Sequence, residues 1–246
     1  MKASASQFNN LSAVFINCSI KKDKSGSHTG LLMSRVSGIM KEQGVTVDEI
    51  YALDHTIAFG MVKDGKTEGW PKDDWPNIQQ KVLDADILVI GTPIWLGVKS
   101  SVATQVIERL YAYSGDTNEK GQYVYYGKVG GCVVTGNEDG IKHCSMDILY
   151  ALQHIGYTIP PQADCGWIGE AGPGPSYGDT EWDGKKLAGP MGFDNDFTNR
   201  NATFMAWNLM HMAKLLKENG GIESTGNVAE DWLHVTNAKS QNPEYL

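Results

Sequence analysis

Residues 11–36 read LSAVFINCSIKKDKSGSHTGLLMSRV: an apolar segment, a hydroxyl-rich loop and an amphipathic segment. We predict a strand over 12–17 and a helix over 29–43, because apolar side chains recur at helical spacing and Gly44 suits a helix end. Where a strand leads directly into a helix, free backbone N–H groups and the positive end of the helix dipole meet at one point. The stretch therefore predicts a phosphate site between the strand and the helix.

The rest of the chain alternates strand patterns with helix patterns. Further strands are predicted over 45–52, 86–91, 129–135 and 157–159, and further helices over 77–83, 100–113, 141–155 and 199–218. The third strand, DILVIG, is apolar on both faces, as strands of a buried parallel sheet are. This alternation predicts an α/β fold with a doubly wound, five-stranded parallel sheet and helices on both of its faces.

The 246 residues fit a single domain that carries one long insertion. We predict a core over 11–160 and 199–221, and an insertion over 162–198 that is rich in glycine and proline. Connections of this length without regular structure are usually functional or disordered. Four aromatic residues favour an ordered insertion that covers a ligand or forms a subunit contact: Trp167, Tyr177, Trp182 and Phe193.

Composition and charge disfavour several classes of protein. The formal net charge of -8 at pH 7 disfavours general nucleic-acid binding, which needs a basic surface. Residues 1–10 are polar and the apolar run 11–16 is too short to cross a bilayer, so neither a signal peptide nor membrane insertion is predicted. Four cysteines form no CxxC pair and are predicted to be buried free thiols, which favours a reducing cytoplasm: Cys18, Cys132, Cys144 and Cys165.

The first loop lacks the two common nucleotide-binding motifs. Neither GxGxxG nor GxxxxGK[ST] follows the first strand, which disfavours a dinucleotide on a Rossmann turn and a P-loop ATPase. The loop offers hydroxyl groups instead, and hydroxyls together with backbone N–H groups bind a terminal phosphate without a metal. The alternative is that Ser27 only caps the helix. The nearby Lys21, Lys22 and Lys24 either steer an anionic ligand or are simply solvated.

Two further loops follow the third and fourth predicted strands. GTPIWLG (91–97) presents Ile94 and Trp95 for stacking on a flat ring, and TGNEDG (135–140) offers N–H groups and the Asn137 amide for a ring's carbonyl edge. The alternative for TGNEDG is an ordinary Asn/Gly turn before a helix. In an open parallel sheet, ligands bind at the switch point beyond the carboxyl ends of strands. A phosphate loop and a ring loop together predict a bound mononucleotide.

Three motifs resemble those of the flavodoxin-like NAD(P)H-dependent FMN reductase and NAD(P)H:quinone oxidoreductase family. They are NCSIKKDKSGSHTGLL, DILVIGTPIWLGVKSSV and VVTGNEDG, and the similarity covers about 11–159 with the helix 199–218. The resemblance implies a flavodoxin-like sheet of order 2-1-3-4-5 and FMN as the cofactor. It also implies a homodimer or homotetramer with the flavin at a subunit contact.

The resemblance assigns the FMN contacts to three sets of residues. The phosphate set is Ser19, Lys21, Ser27, His28 and Thr29. The set that lines the isoalloxazine ring is Thr92, Pro93, Ile94, Trp95, Leu96 and Gly97. The set at the pyrimidine edge is Thr135, Gly136, Asn137 and Gly140.

The implied activity is hydride transfer from NADH or NADPH to FMN, and from there to a quinone, free flavin or a similar small acceptor. Because the flavin carries the chemistry, no catalytic side chain is predicted. No metal site is predicted either, and Glu181 and Asp183 are expected to be solvated. Four histidines are expected to be structural or solvated: His28, His143, His154 and His211. The alternatives are a flavodoxin-type electron carrier without substrate turnover and a cofactor-free protein of the same fold.

Overall fold

Five parallel strands form the central sheet of the computed structural model, which describes residues 7–21, 23–172 and 174–231. They are β1 (Ser12–Asn17), β2 (Thr46–Tyr51), β3 (Ile87–Trp95), β4 (Val129–Asn137) and β5 (Asp164–Gly169). Their lateral order is β2-β1-β3-β4-β5, so the predicted doubly wound, flavodoxin-like order is confirmed. The predicted site loops begin as strand, because β3 and β4 extend beyond their expected ends at 91 and 135.

Helices cover both faces of this sheet. They are α1 (His28–Glu42), α2 (Trp75–Asp84), α3 (Ser101–Tyr111), α4 (Ile141–His154) and α5 (Asp196–Glu218). Side chains alternate along β1, so that Phe15 joins the core with α1 and α5, whereas Ile16 joins the core with α2, α3 and α4. Two buried cores therefore fix the sheet from both sides, and the loops at its carboxyl edge stand on rigid strands.

The fifth strand lies later in the chain than the sequence pattern predicts. The stretch 157–159 makes only an isolated bridge, from Thr158 to Val129, and the strand that pairs with β4 is β5, Asp164–Gly169. The prediction of a strand at 157–159 is therefore wrong. Pro160 and Pro161 have no N–H to donate to a ladder, so regular pairing begins only after them. The first part of the predicted insertion is thus sheet, and the connection between β5 and α5 covers residues 170–195.

A buried ion pair fastens the loop between β2 and α2 to helix α3. The fully buried Arg109 and Asp73 lie 2.6 Å apart, Nη2 to Oδ2, and Arg109 also donates to the Ala58 carbonyl at 2.9 Å. The Asp73 carboxylate further accepts the backbone N–H groups of Ala58, Gly65 and Trp75. Burial alone would raise the pKa of Asp73, but the hydrogen bonds outweigh it and hold the pKa below its ordinary value. Nothing in the sequence pattern had indicated this pair.

The four cysteines are buried free thiols, as predicted. Burial raises the pKa of each of them, which keeps the sulfur atoms protonated and unreactive: Cys18, Cys132, Cys144 and Cys165. Within the described ranges no cluster of three or more His, Cys, Asp or Glu side chains is arranged to hold a metal ion. In the same ranges, no helix combines the length and apolar character needed to cross a membrane.

Candidate functional site

A cavity of about 660 Å³ opens beyond the carboxyl ends of β1, β3 and β4. This is the switch point of the doubly wound sheet, and the volume falls within the range of roughly 300–1,000 Å³ that small-molecule sites have. The three predicted loops all reach it. The predicted residues that line it are Ser19, Lys21, Ser27, His28, Thr29, Pro93, Ile94, Trp95, Leu96, Gly97, Thr135, Gly136 and Asn137.

Two predicted site residues shape the loops instead of lining the cavity. The buried Thr92 accepts the backbone N–H of Ser100 on its Oγ1 at 3.0 Å. Gly140 precedes α4 with a φ of +114°, and a Cβ there would lie 2.8 Å from the backbone of Gly97. The close approach of the second and third loops therefore requires glycine at 140.

The phosphate end of the cavity is built on the first turn of α1. Ser27 caps this helix, because its Oγ accepts the Gly30 N–H at 3.0 Å, and it lines the cavity as well. The N–H groups of His28 and Thr29 lie in the first turn, where a helix offers them no carbonyl partner, so they are free for a ligand. Ser19 Oγ lies 2.6 Å from Ser27 Oγ, which places a second hydroxyl beside them. Such a cluster of donors at a helix N-terminus suits a phosphate.

The basic run contributes one described lysine to the cavity wall. Lys21 lines the cavity and donates from Nζ to the Gly26 carbonyl at 2.6 Å. Lys24 pairs with Asp54 on the adjoining surface, and Lys22 lies outside the described residues. A positive charge therefore stands beside the free N–H groups of α1.

The ring end of the cavity is a tight turn at the tip of β3. Trp95 pairs antiparallel with Val98, and Leu96 and Gly97 form the turn with φ angles of +51° and +76°. A left-handed leucine costs roughly 1–2 kcal/mol, and this one is also 99% exposed. His143 steadies the turn, with Nδ1 2.9 Å from the Gly97 carbonyl oxygen. A strained apolar residue held in water at the mouth of a cavity is typical of a ligand-contact position.

The third loop connects the cavity with the segment that follows β5. Thr135 Oγ1 lies 2.7 Å from Thr29 Oγ1, so the first and third loops share a hydroxyl pair. The Asn137 amide, predicted at the pyrimidine edge of a ring, instead makes its hydrogen bonds to the segment 170–176. The third loop is therefore fastened both to α1 and to the segment that follows β5.

Sequence reasoning missed five lining residues: Ile20, Glu138, Trp167, Ser176 and Tyr177. Trp167 and Tyr177 had been noted as signs of order, but the late start of β5 hid the fact that they face the cavity. Their rings pack edge to face with centroids 5.8 Å apart, and Phe193 lies 5.2 Å beyond Tyr177. Trp167 of β5 and Tyr177 of the connection thus form an aromatic wall of the site, and Phe193 packs behind Tyr177.

These residues fit a flavin mononucleotide. Free N–H groups, two hydroxyls and a lysine suit the phosphate at one end, and the Ile94–Gly97 turn with the aromatic wall suits the ring at the other. The hydroxyl and amide donors are also of the kind that binds an anion without a metal.

Comparisons with known proteins agree with this geometry. Residues 11–167 match the family described as NADPH-dependent FMN reductase. The 8-demethyl-8-aminoriboflavin-5′-phosphate synthase of Streptomyces davaonensis is 32% identical over 215 residues, which cover 85% of this chain and 79% of that protein. A crystal structure of RosB with the bound intermediate 8-demethyl-8-formylriboflavin-5′-phosphate superposes with a TM-score of 0.79 at 30% identity, covering 94% of this chain and 88% of that one.

A further relative is much longer than this chain. A protein of Mycobacterium bovis named divalent metal cation transporter MntH is 57% identical over 215 residues, which cover 87% of this chain. The chain spans only 30% of the length of that relative. Three observations point to one family: the residues that match its model, the two relatives that this chain covers over most of their length, and the cavity at the switch point. The chain belongs to the NADPH-dependent FMN reductase family.

Proposed function

We propose that the chain is an FMN-dependent oxidoreductase that takes a hydride from NADH or NADPH and passes the electrons to a quinone, free flavin or similar small acceptor. FMN, when bound, supplies the ring that accepts the hydride and gives up the electrons. The observation that carries the proposal is the exposed turn of Trp95 and Leu96 next to the phosphate cradle. It offers apolar surface, open to water, against which a second flat molecule can lie.

The chain's own residues would act by binding and orientation. The N-terminus of α1 with Ser19 and Lys21 would hold the phosphate, and the turn at Trp95 would orient the ring. Backbone N–H groups of the loop that begins at Thr135 would stabilise negative charge at the pyrimidine edge. No side chain has to donate a proton in this scheme.

A steady-state assay tests the proposal. Protein reconstituted with FMN is mixed with NADH or NADPH and a quinone, and oxidation of the nicotinamide is followed by absorbance. We expect turnover with at least one nicotinamide. A protein that binds FMN but oxidises neither nicotinamide would refute the proposed turnover, and a protein that stays colourless in FMN would refute flavin binding itself.

A second candidate is that riboflavin 5′-phosphate is the molecule acted on and not a resident cofactor. The similarity to a synthase of an aminoriboflavin phosphate, and to a structure that holds a formylriboflavin phosphate, favours it. Incubation of the protein with FMN and an amino-group donor, followed by mass spectrometry of the flavin, separates the two, because only the second candidate predicts a modified flavin.

Replacing Trp95 with alanine should weaken FMN and riboflavin to the same extent, by about 2- to 10-fold, because both ligands carry the ring that this side chain contacts. Quenching of flavin fluorescence gives the two dissociation constants. Tyr123→Ala, which removes an exposed aromatic ring from the loop before β4 and away from the cavity, is the control and should change neither. A loss confined to FMN would contradict the assignment of Trp95 to the ring.

We also propose that the protein forms a homodimer or homotetramer. Support comes from apolar side chains that stand exposed on α4, Met146 and Tyr150, together with Leu96 at the mouth of the cavity. Sedimentation equilibrium of the purified protein tests this, and a mass of one chain at micromolar concentration would refute it.

A further inference from the structure

The segment 170–195, which we name the strap, is tied to the cavity by the side chain of Asn137. The Asn137 Nδ2 donates to the carbonyl oxygens of Glu170, Gly174 and Pro175 at 3.1–3.2 Å, and its Oδ1 accepts the Ser176 hydroxyl at 3.0 Å. One amide thus binds four groups of the strap. Pro173 lies outside the described residues, and the contacts come from both sides of it.

A second tie comes from His28, the first residue of α1. Its Nδ1 accepts the Gly178 N–H at 2.9 Å, which places the ring proton on Nε2, 3.5 Å from Asp179 Oδ1. Burial lowers the pKa of His28, the charge of Lys21 lowers it further, and Asp179 offsets only part of this effect. The imidazole is therefore neutral at pH 7, the state in which Nδ1 can accept.

The tied part of the strap forms a wall of the cavity. Ser176 and Tyr177 line it directly, and the turn that carries them is closed by the Asp179 carboxylate, which accepts the Ser176 N–H at 2.7 Å. Because Ser176 and Gly178 are the residues held by Asn137 and His28, release of these ties would move the wall.

We propose that Asn137 and His28 are positioning residues that hold the strap against the cavity, so that Ser176 and Tyr177 stay in place as a wall and a bound flavin is released slowly. The proposal rests on flavin binding in this cavity and not on the nature of the electron donor or acceptor. It assigns to the Asn137 side chain a role in fixing the wall of the site, which differs from the ring contact that the family resemblance implies.

The isosteric variant Asn137→Asp tests the first tie. A carboxylate cannot donate to the three carbonyl groups and repels them, so the closed strap should be populated less. We expect FMN release, measured by stopped-flow fluorescence, to speed up by about tenfold or more, and release of riboflavin to speed up similarly. The matched control is Asn208→Asp, which removes a 2.7 Å bond to the Pro161 carbonyl outside the cavity and should leave both rates unchanged.

Limited proteolysis of the flavin-free protein gives a readout that does not depend on the ligand. The exposed Lys185 and Lys186 lie in a short hairpin of the strap, and trypsin cuts such a hairpin only when it unfolds locally, which loosening of the strap should favour. Nicking at this hairpin should be about tenfold faster in Asn137→Asp than in Asn208→Asp. Equal nicking and equal flavin release in the two variants would overturn the role of Asn137.

The second tie predicts a dependence on pH. Protonation of His28 at Nδ1 abolishes its bond to Gly178, so strap opening in the wild type should increase as pH falls below the ordinary histidine value of 6.5. In His28→Asn the amide oxygen keeps an acceptor near the Nδ1 position and does not titrate. The ratio of wild-type to variant nicking, each at the same pH, should rise severalfold between about pH 7.5 and about pH 5.5.

Failure of this inference is distinguishable from failure of the proposed function. Nicking is measured on flavin-free protein, because the FMN phosphate itself titrates near pH 6. A ratio that does not change with pH overturns the role of His28 whether or not the protein oxidises a nicotinamide. A wild type that binds no flavin refutes the proposed function, whatever the nicking rates are.

Discussion

Replacing Arg109 with methionine is expected to lower the free energy of unfolding by about 3–5 kcal/mol, the typical cost of leaving one partner of a buried ion pair alone. Methionine occupies much of the volume but leaves the Asp73 carboxylate charged and fully buried. The three backbone N–H groups that Asp73 accepts hold it in place and do not replace the lost charge. Urea denaturation followed by circular dichroism measures the change.

The control for this prediction is Lys81→Met. Lys81 and Asp48 form an ion pair at 2.7 Å whose side chains are 53% and 44% exposed, so its loss should cost less than about 1 kcal/mol. A change in Arg109→Met as small as that in Lys81→Met would contradict the importance of the buried pair.

The pH dependence of the Arg109 variant has a definite sign. In the wild type the pKa of Asp73 is lower in the folded than in the unfolded state. The ionised carboxylate therefore stabilises the fold at pH values above its unfolded-state pKa, and this stabilisation is lost as pH falls through its folded-state pKa. Without Arg109 the pKa of Asp73 rises from its wild-type value, although the three backbone N–H groups still lower it, so the variant loses less stability as pH falls. The difference in unfolding free energy between the two proteins should therefore shrink as pH falls below the ordinary aspartate value of 3.8.

Replacing Thr29 with valine is expected to weaken the binding of FMN by about 10- to 100-fold and the binding of riboflavin by less than about twofold. Valine keeps the branched shape of the buried Thr29 and removes only the hydroxyl. A hydrogen bond to a charged phosphate is worth about 1.5–3 kcal/mol, and riboflavin has no phosphate with which to make it. Fluorescence quenching of both ligands provides the comparison.

Thr135→Val is the matched control for Thr29. It removes the other member of the 2.7 Å hydroxyl pair while leaving Thr29 free to donate to a phosphate. We expect it to affect FMN and riboflavin alike. If Thr29→Val weakens both ligands equally, as the control does, Thr29 does not bind the phosphate.

The central part of the fold could be predicted from sequence because its signals are local. The strand and first helix of 11–36 carry apolar periodicity, a cap and a glycine stop within a few residues, and each ends within one residue of its predicted bounds. Ligands bind at the switch point of such a sheet, and this rule predicted that the three loops lie around one site. All but Thr92 and Gly140 of the predicted residues line the cavity as a result.

The remaining features depend on contacts between distant residues. The edge strand β5 has a mixed composition, DCGWIG, and is identified only by its pairing with β4. Arg109 and Asp73 are 36 residues apart, and the bond between His28 and Gly178 spans 150. No periodicity within a segment encodes such pairs, so the aromatic wall of the site and the bonds that hold it became visible only in three dimensions.

The turn at Leu96 is a position where a substitution that raises thermal stability would also remove a ligand contact. Asparagine or glycine adopts this left-handed geometry readily, so either should make the fold more robust. Either substitution would also remove the apolar side chain from the entrance of the cavity, where a flat ligand would first contact the protein. The chain thus keeps a strained residue at the point where a ligand enters. A substitution that raises thermal stability at this position would lower the affinity for the ligand.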